Sequence, residues 1–200
     1  VKKILFTLLF FVLFSLGISL QVKANIDLST FNAFCLSVSK YLHLSVGLMI
    51  NVCNMIIFVL YTLIKKSIHL LDLLQFVFII INGLLVDLFL QKLFLDWEIE
   101  NYGMTSVIFL IGLLIAALSL GQILRIGLVK FPLESLCIEL EKKTTFTFGA
   151  IRYAFDFIFL IGVIAIFIVD HHILTIREGT VISFFLLSYL VSVSYRWSLE

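Results

Sequence analysis

Apolar residues run along this chain in stretches long enough to cross a bilayer, which takes about 20 residues of helix. Six stretches read as spans: Ile4–Val22, Val46–Ile64, Leu71–Gln91, Met104–Leu124, Thr147–Val169 and Glu178–Tyr195. Two of the longer connections, 23–45 and 125–146, carry a different pattern. Phe31, Phe34, Cys35 and Val38 follow the i, i+3, i+4, i+7 spacing of a one-faced helix, and Leu133, Leu136, Cys137 and Leu140 repeat it. Each of these stretches opens on a helix-start signal. Ser29-Thr30 can cap the first; Pro132 suits the first turn of the second, where Glu134 complements the helix dipole. Helices of about 11–13 residues rise only about 17–20 Å, too little for a hydrocarbon core of about 30 Å. They are expected either as re-entrant half-helices or as helices along the membrane surface.

The matching stripes belong to a wider self-similarity. At a shift of 102 residues Cys35 falls on Cys137, Lys40 on Lys142, Gly47 on Gly149 and Asn54 on Asp156. Each copy reads span, short helix, span, span. Three spans is an odd number, so the second copy enters from the opposite side, and the halves form an inverted pair about an axis in the membrane plane, as in many secondary transporters. The predicted fold is therefore an all-α membrane protein of six transmembrane helices in two inverted three-span repeats, 1–91 and 104–200. The polar stretch 92–103 is the linker between them. This repeat also bears on the N-terminus. Val1–Asn25 has the basic start, apolar core and Val-Lys-Ala of a signal peptide. Its counterpart later in the chain argues for a retained span.

Composition agrees with the pattern. Of 200 residues, 62% are hydrophobic and only 14% charged, which excludes an ordinary soluble domain. The net charge of +1 comes without a basic patch clear of the apolar segments, so no nucleic-acid partner is expected. Lys and Arg set orientation. With the N-terminus inside, cytoplasmic segments hold nine of them (Lys2, Lys3, Lys65, Lys66, Arg125, Lys130, Lys142, Lys143 and Arg196) against four outside (Lys23, Lys40, Lys92 and Arg177). Both termini are expected in the cytoplasm, with 92–103 outside.

Polar groups inside spans are costly, so they mark bundle interiors or water paths. Arg152 and Asp156 lie four apart on one face of the fifth span, and Asn54 occupies the place equivalent to Asp156, with Asn51 a turn before it. These residues and Asn82, mid-way along the third span, form the candidate intramembrane polar site. In the functional reading Asp156 binds a proton or cation, tuned by Arg152, and meets Asn54 between the halves. In the structural reading Arg152 and Asp156 neutralise one another and Asn82 makes an interhelical hydrogen bond. Asp87, near the outer end of its span, is expected to reach water. Cys35, Cys53 and Cys137 lack ligand spacing and read as buried thiols, and Asp170-His171-His172 reads as a solvated interface. No phosphate-binding, nucleophile-elbow or zinc motif occurs. Neither an enzyme, nor a metal site, nor a cofactor is expected.

These residues resemble a family of bacterial multi-pass membrane proteins, the YczE/YyaS/YitT group, over nearly the whole chain. The first copy carries Ala24-Asn25-Ile26-Asp27, Thr30-Phe31-Asn32, Gly47, and Asn82-Gly83 with Asp87. The second carries Gly127, Pro132-Leu133-Glu134, Gly149 and Glu178-Gly179-Thr180. The half-helix elements of the resemblance are thus Thr30 and Asn32, then Pro132 and Glu134. Thr30 stands where the group usually has Pro, Asp27 where it has Gly, and no Gly lies near Leu187. The resemblance implies the bacterial cytoplasmic membrane and a permease-like protein moving a small solute or ion. The alternative is a non-transporting accessory or scaffold for another membrane system. Expected partners are the lipid bilayer, a small solute or ion, and a second copy or another membrane protein completing the pathway.

Overall fold

The computed structural model describes residues 2–24, 29–67, 70–95, 97 and 101–173, together with 186, 189–191, 193 and 194. The described elements are α1 (Lys2–Ala24), α2 (Thr30–Leu42), α3 (Val46–Lys65), α4 (Leu70–Leu88), α5 (Tyr102–Ile126), α6 (Pro132–Lys143) and α7 (Phe148–Val169); α4 ends in a π-helical turn, Phe89–Leu93. Among them, five helices are long and apolar enough to cross a membrane: α1, α3, Asp72–Leu93, α5 and α7. They match the first five expected spans. The sixth, Glu178–Tyr195, lies outside the described residues apart from a few helical positions between Leu186 and Ser194. The outer faces keep large apolar side chains uncovered, among them Leu63, Leu84, Phe157 and Ile161. Such faces are stable against lipid, so the chain is a multi-pass membrane protein in contact with the bilayer.

Small residues set the central packing. α1 and α5 run antiparallel, Leu20 lying with Phe109 and Leu113 while Phe11 lies with Ile123. At their crossing a Cβ on Gly17 would stand 2.7 Å from both Ala116 N and Gly112 O. Close backbone approach through Gly and Ala is how transmembrane helices gain packing where lipid removes the hydrophobic drive between them. α4 runs parallel to α1, tied by Ser15 Oγ, which lies 2.9 Å from Asn82 Oδ1 and 2.8 Å from Phe11 O. Asn82 thus makes the interhelical contact expected of it.

α3 and α4 pack antiparallel and are pinned at both ends. At one end Lys65 Nζ lies 2.7 Å from Asp72 Oδ2, and Tyr61 Oη donates to Asp72 Oδ1 at 2.9 Å. At the other, Asp87 accepts from Ser45 Oγ (2.6 Å) and from Gly47 N (2.7 Å). Asp87 therefore does not simply reach water. It closes the N-terminus of α3, where a carboxylate meets free N–H groups and the positive end of the dipole.

The short helices start where their signals place them. Ser29 caps α2, its Oγ accepting from Asn32 N at 3.5 Å, and Pro132 occupies the first turn of α6. Neither lies along the bundle surface. The start of α2 meets α7 near its middle: Thr30 Oγ1 donates to Asp156, and the Phe31 and Phe34 rings stand 5.4 and 5.7 Å from Phe159. Farther along, Ala33 and Leu36 pack with Val163, so α2 runs parallel to α7. The start of α6 lies at mid-length of α1, the Phe131 ring 5.2 Å from Phe11 and 4.8 Å from Phe14. α6 then follows α3, with Leu133 and Cys137 packed among Ile57, Phe58 and Tyr61, until Lys143 Nζ donates to Ile64 O. α2 and α6 share one plan. Both begin inside the bundle, and they leave toward opposite ends, because tight α2–α3 and α6–α7 turns send α3 and α7 in opposite directions.

Candidate functional site

The two inward helix starts converge on one cavity. It measures ≈ 70 Å³ and is lined by Phe14, Ile18 and Gln21 of α1, Ser29, Phe31 and Asn32 at the start of α2, Ile50 and Asn54 of α3, Asn82 of α4, Ala116 and Leu120 of α5, Phe131, Leu133 and Glu134 at the start of α6, and Arg152 of α7. That is room for a few waters or a solute of a few heavy atoms. Asn54 and Asn82 are buried and also border a second void of ≈ 10 Å³ with Gln75, Lys130 and Pro132.

A charged chain runs along one side. Arg152 Nη1 donates to Asp156 Oδ1 at 2.5 Å, one helical turn on, as the i, i+4 spacing predicts. Asp156 also accepts from Thr30 Oγ1 of α2. Arg152 Nε lies 4.0 Å from Glu134 Oε1 of α6. One guanidinium thus links carboxylates on two elements, and a hydroxyl from a third completes the set. Glu134 Oε2 is enclosed, with no hydrogen-bond partner among the described residues. Burial pushes the Glu134 carboxyl up from the usual carboxylate range, against the pull of Arg152 and with a smaller upward push from Asp156. Burial likewise pushes the Cys137 thiol, one turn along α6, up to about 12, which keeps it protonated and inert.

The residues of the sequence-predicted site separate in space. Arg152, Asn54 and Asn82 share the cavity; the Asp156 carboxylate turns to Thr30 and Arg152 beside it. Asn51 stands apart against Gly83, its Nδ2 donating to Ile80 O at 3.4 Å. The half-helix residues Thr30, Asn32, Pro132 and Glu134, assigned only to local elements by the sequence, belong to the same centre. Gln75 is the member that sequence reasoning missed. It is 4% exposed, its Oε1 lies 3.5 Å from Ser135 Oγ of α6, and its Nε2 has no partner among the described residues. The signal was present: Gln75 stands seven residues before Asn82, on the same face of an apolar helix.

Cys35, Cys53 and Cys137 are free and buried, and among the described residues no group of His, Cys, Asp and Glu could hold a metal ion. At the end of α7, Asp170 Oδ1 accepts from His172 N at 3.0 Å in an exposed turn.

Lipid-facing helices around a partly buried charged centre define a multi-pass helical membrane protein with a polar interior. Within that class, the model of a family described as "Family of unknown function (DUF6198)" matches residues 1–196, and the chain belongs to that family. Neither the curated proteins nor the solved structures give a match to it.

Proposed function

We propose that this protein is a permease-like carrier that moves a small solute or ion of the size the cavity holds, and not an enzyme. One observation carries the reading. Two short helices from different halves of the chain begin inside the bundle and face one cavity bordered by the Glu134–Arg152–Asp156 chain. Broken helices that end at a polar cavity are what a translocation site needs, since irregular backbone is tolerated at membrane depth only where it lines such a space. The packing supports an inverted repeat: α2 lies on α7 as α6 lies on α3, and exchanging the halves maps one contact onto the other. The resemblance to the YczE/YyaS/YitT group points the same way.

Swelling of proteoliposomes in ammonium nitrate, ammonium formate, ammonium chloride, glycerol and glycine tests the reading. One solute class is expected to enter several-fold faster than into protein-free vesicles, and Asp156→Asn to return that rate to the protein-free value. Protein-free rates for the whole panel would overturn the carrier. They would favour the second reading, an accessory protein, which rests on Asp156 being already satisfied by Arg152 and Thr30.

Orientation has its own test. We propose both termini in the cytoplasmic space of a bacterial membrane, from the Lys and Arg distribution. A cysteine placed at position 98 in a background lacking the native three is expected to react with an impermeant maleimide added outside intact cells. Labelling only after lysis would reverse the topology.

A further inference from the structure

We propose that the central cavity binds a small monoanion and that Glu134 carries a proton when it does. The inference deepens the carrier reading and rests on it for the route into the cavity; occupancy itself requires no flux.

The charges around the cavity decide the sign of the ligand. Among the described lining residues Arg152 is the one cation and Glu134 the one carboxylate. The starts of α2 and α6 both border it, and a helix start carries roughly half a positive charge, with first-turn N–H groups that have no acceptor within the helix. With Glu134 neutral, a metal or ammonium cation would meet Arg152 and both helix starts. An anion is attracted by all three.

A second observation is independent of the helix ends. Gln75 is 4% exposed, and its Nε2 has no partner among the described residues. It borders the small void that shares Asn54 and Asn82 with the main cavity. A buried amide donor without an acceptor is costly, and an anion or its bridging water at Asn54 and Asn82 would supply one. A volume of ≈ 70 Å³ is enough to hold nitrate or formate.

Glu134 links this anion to a proton. Its Oε2 is enclosed without a partner among the described residues, and the residue lines the same cavity. Ionised, it repels an incoming anion; neutral, it can donate to one. The other charged groups that face it are Arg152 and Asp156 on α7. α3 presents Asn54 there, while its Tyr61 and Lys65 are engaged by Asp72 at the far end of the helix. Cys137 stays protonated on its own helix, and Lys130 borders the small void. Glu134 is therefore the group whose titration changes the charge met by the ligand. Affinity is highest where Glu134 is neutral and falls as pH rises past its titration.

The test is nitrate binding to the purified full chain by calorimetry, at constant ionic strength in a gluconate background. Nitrate stays ionised throughout, so any pH dependence belongs to the protein. Above the Glu134 titration, affinity is expected to fall about tenfold per pH unit. Glu134→Gln is expected to bind nitrate with no such slope. A flat profile in the wild type, the same slope in Glu134→Gln, or heat from sodium instead of nitrate would each overturn the proposal. Should Glu134→Gln not fold, the wild type alone decides. Above the Glu134 titration, in two buffers of different ionisation heat, one proton taken up per nitrate bound supports the proposal, and none overturns it. Swelling in glycerol alone, without nitrate binding, would leave the carrier and remove the anion. Nitrate binding with the expected slope but no swelling would do the reverse.

Discussion

Replacing Gly17 with leucine is expected to break the α1–α5 packing and remove about 3 kcal/mol or more of stability. Even the first added carbon would stand 2.7 Å from Ala116 N and Gly112 O and 2.9 Å from Ala116 Cβ. Two of those three neighbours are backbone, so no rotamer change relieves the clash and the helices must separate. Separation also strips Leu20, Phe109 and Leu113 of their shared contacts. Gly149→Ala is the control. A Cβ there meets nothing within 4 Å, and the site lies at the start of α7, so the change is expected to be neutral or mildly stabilising. Thermal unfolding in detergent, read by loss of the monodisperse gel-filtration peak, measures both. A Gly17→Leu protein as stable as wild type would show that this crossing is not tight.

The sequence made the long elements legible because lipid imposes a simple rule on them. An apolar run of about 20 residues has few alternatives to a spanning helix, and the expected boundaries of α1, α3, α5 and α7 fall within two residues of those observed. The starts of α2 and α6 were legible for a different reason: Ser29 and Pro132 are local signals acting on the adjacent turn. What local signals could not convey was depth. The same amphipathic pattern suits a helix on the outside of the bundle and one that starts inside it, and only the packing of Phe131 on Phe11 and Phe14, and of Phe34 on Phe159, decides between them.

The same limit governed the site. Arg152 and Asp156 were legible as a pair, since their spacing alone brings them together. Glu134 was legible only as a first-turn acid, and its role as the second carboxylate at Arg152 depends on α6 returning into the bundle beside α7. Asp87 was misplaced for a related reason. Nearness to a helix end suggested water, whereas the start of α3 offered better donors in Gly47 N and Ser45 Oγ.

Truncating Arg152 is expected to have the largest effect of any change at the centre. Arg152→Ala leaves Asp156 and Glu134 with their shared cation gone, their side chains being 12% and 17% exposed. Losing one partner of a buried pair costs about 3–5 kcal/mol. Arg152 is itself 24% exposed, so water offsets part of the loss and about 2–3 kcal/mol is expected. Asp156→Leu in the same chain as Arg152→Met removes both charges and replaces them with apolar volume. Well-packed apolar groups commonly match or exceed a buried pair in stability, so this double variant is expected to regain most of the lost stability. Glu134 tolerates the exchange because burial already favours its neutral form. The comparison separates the two readings of the centre. A pair present for folding alone predicts that the restabilised double variant keeps whatever transport or nitrate binding the wild type has. A working site predicts a well-folded protein that has lost both, because the cation that attracts the anion and the carboxylate that positions it are gone. Retention of wild-type binding by a stable double variant would assign Arg152 and Asp156 to the fold and leave Glu134, Asn54 and Asn82 as the remaining polar contacts of the cavity.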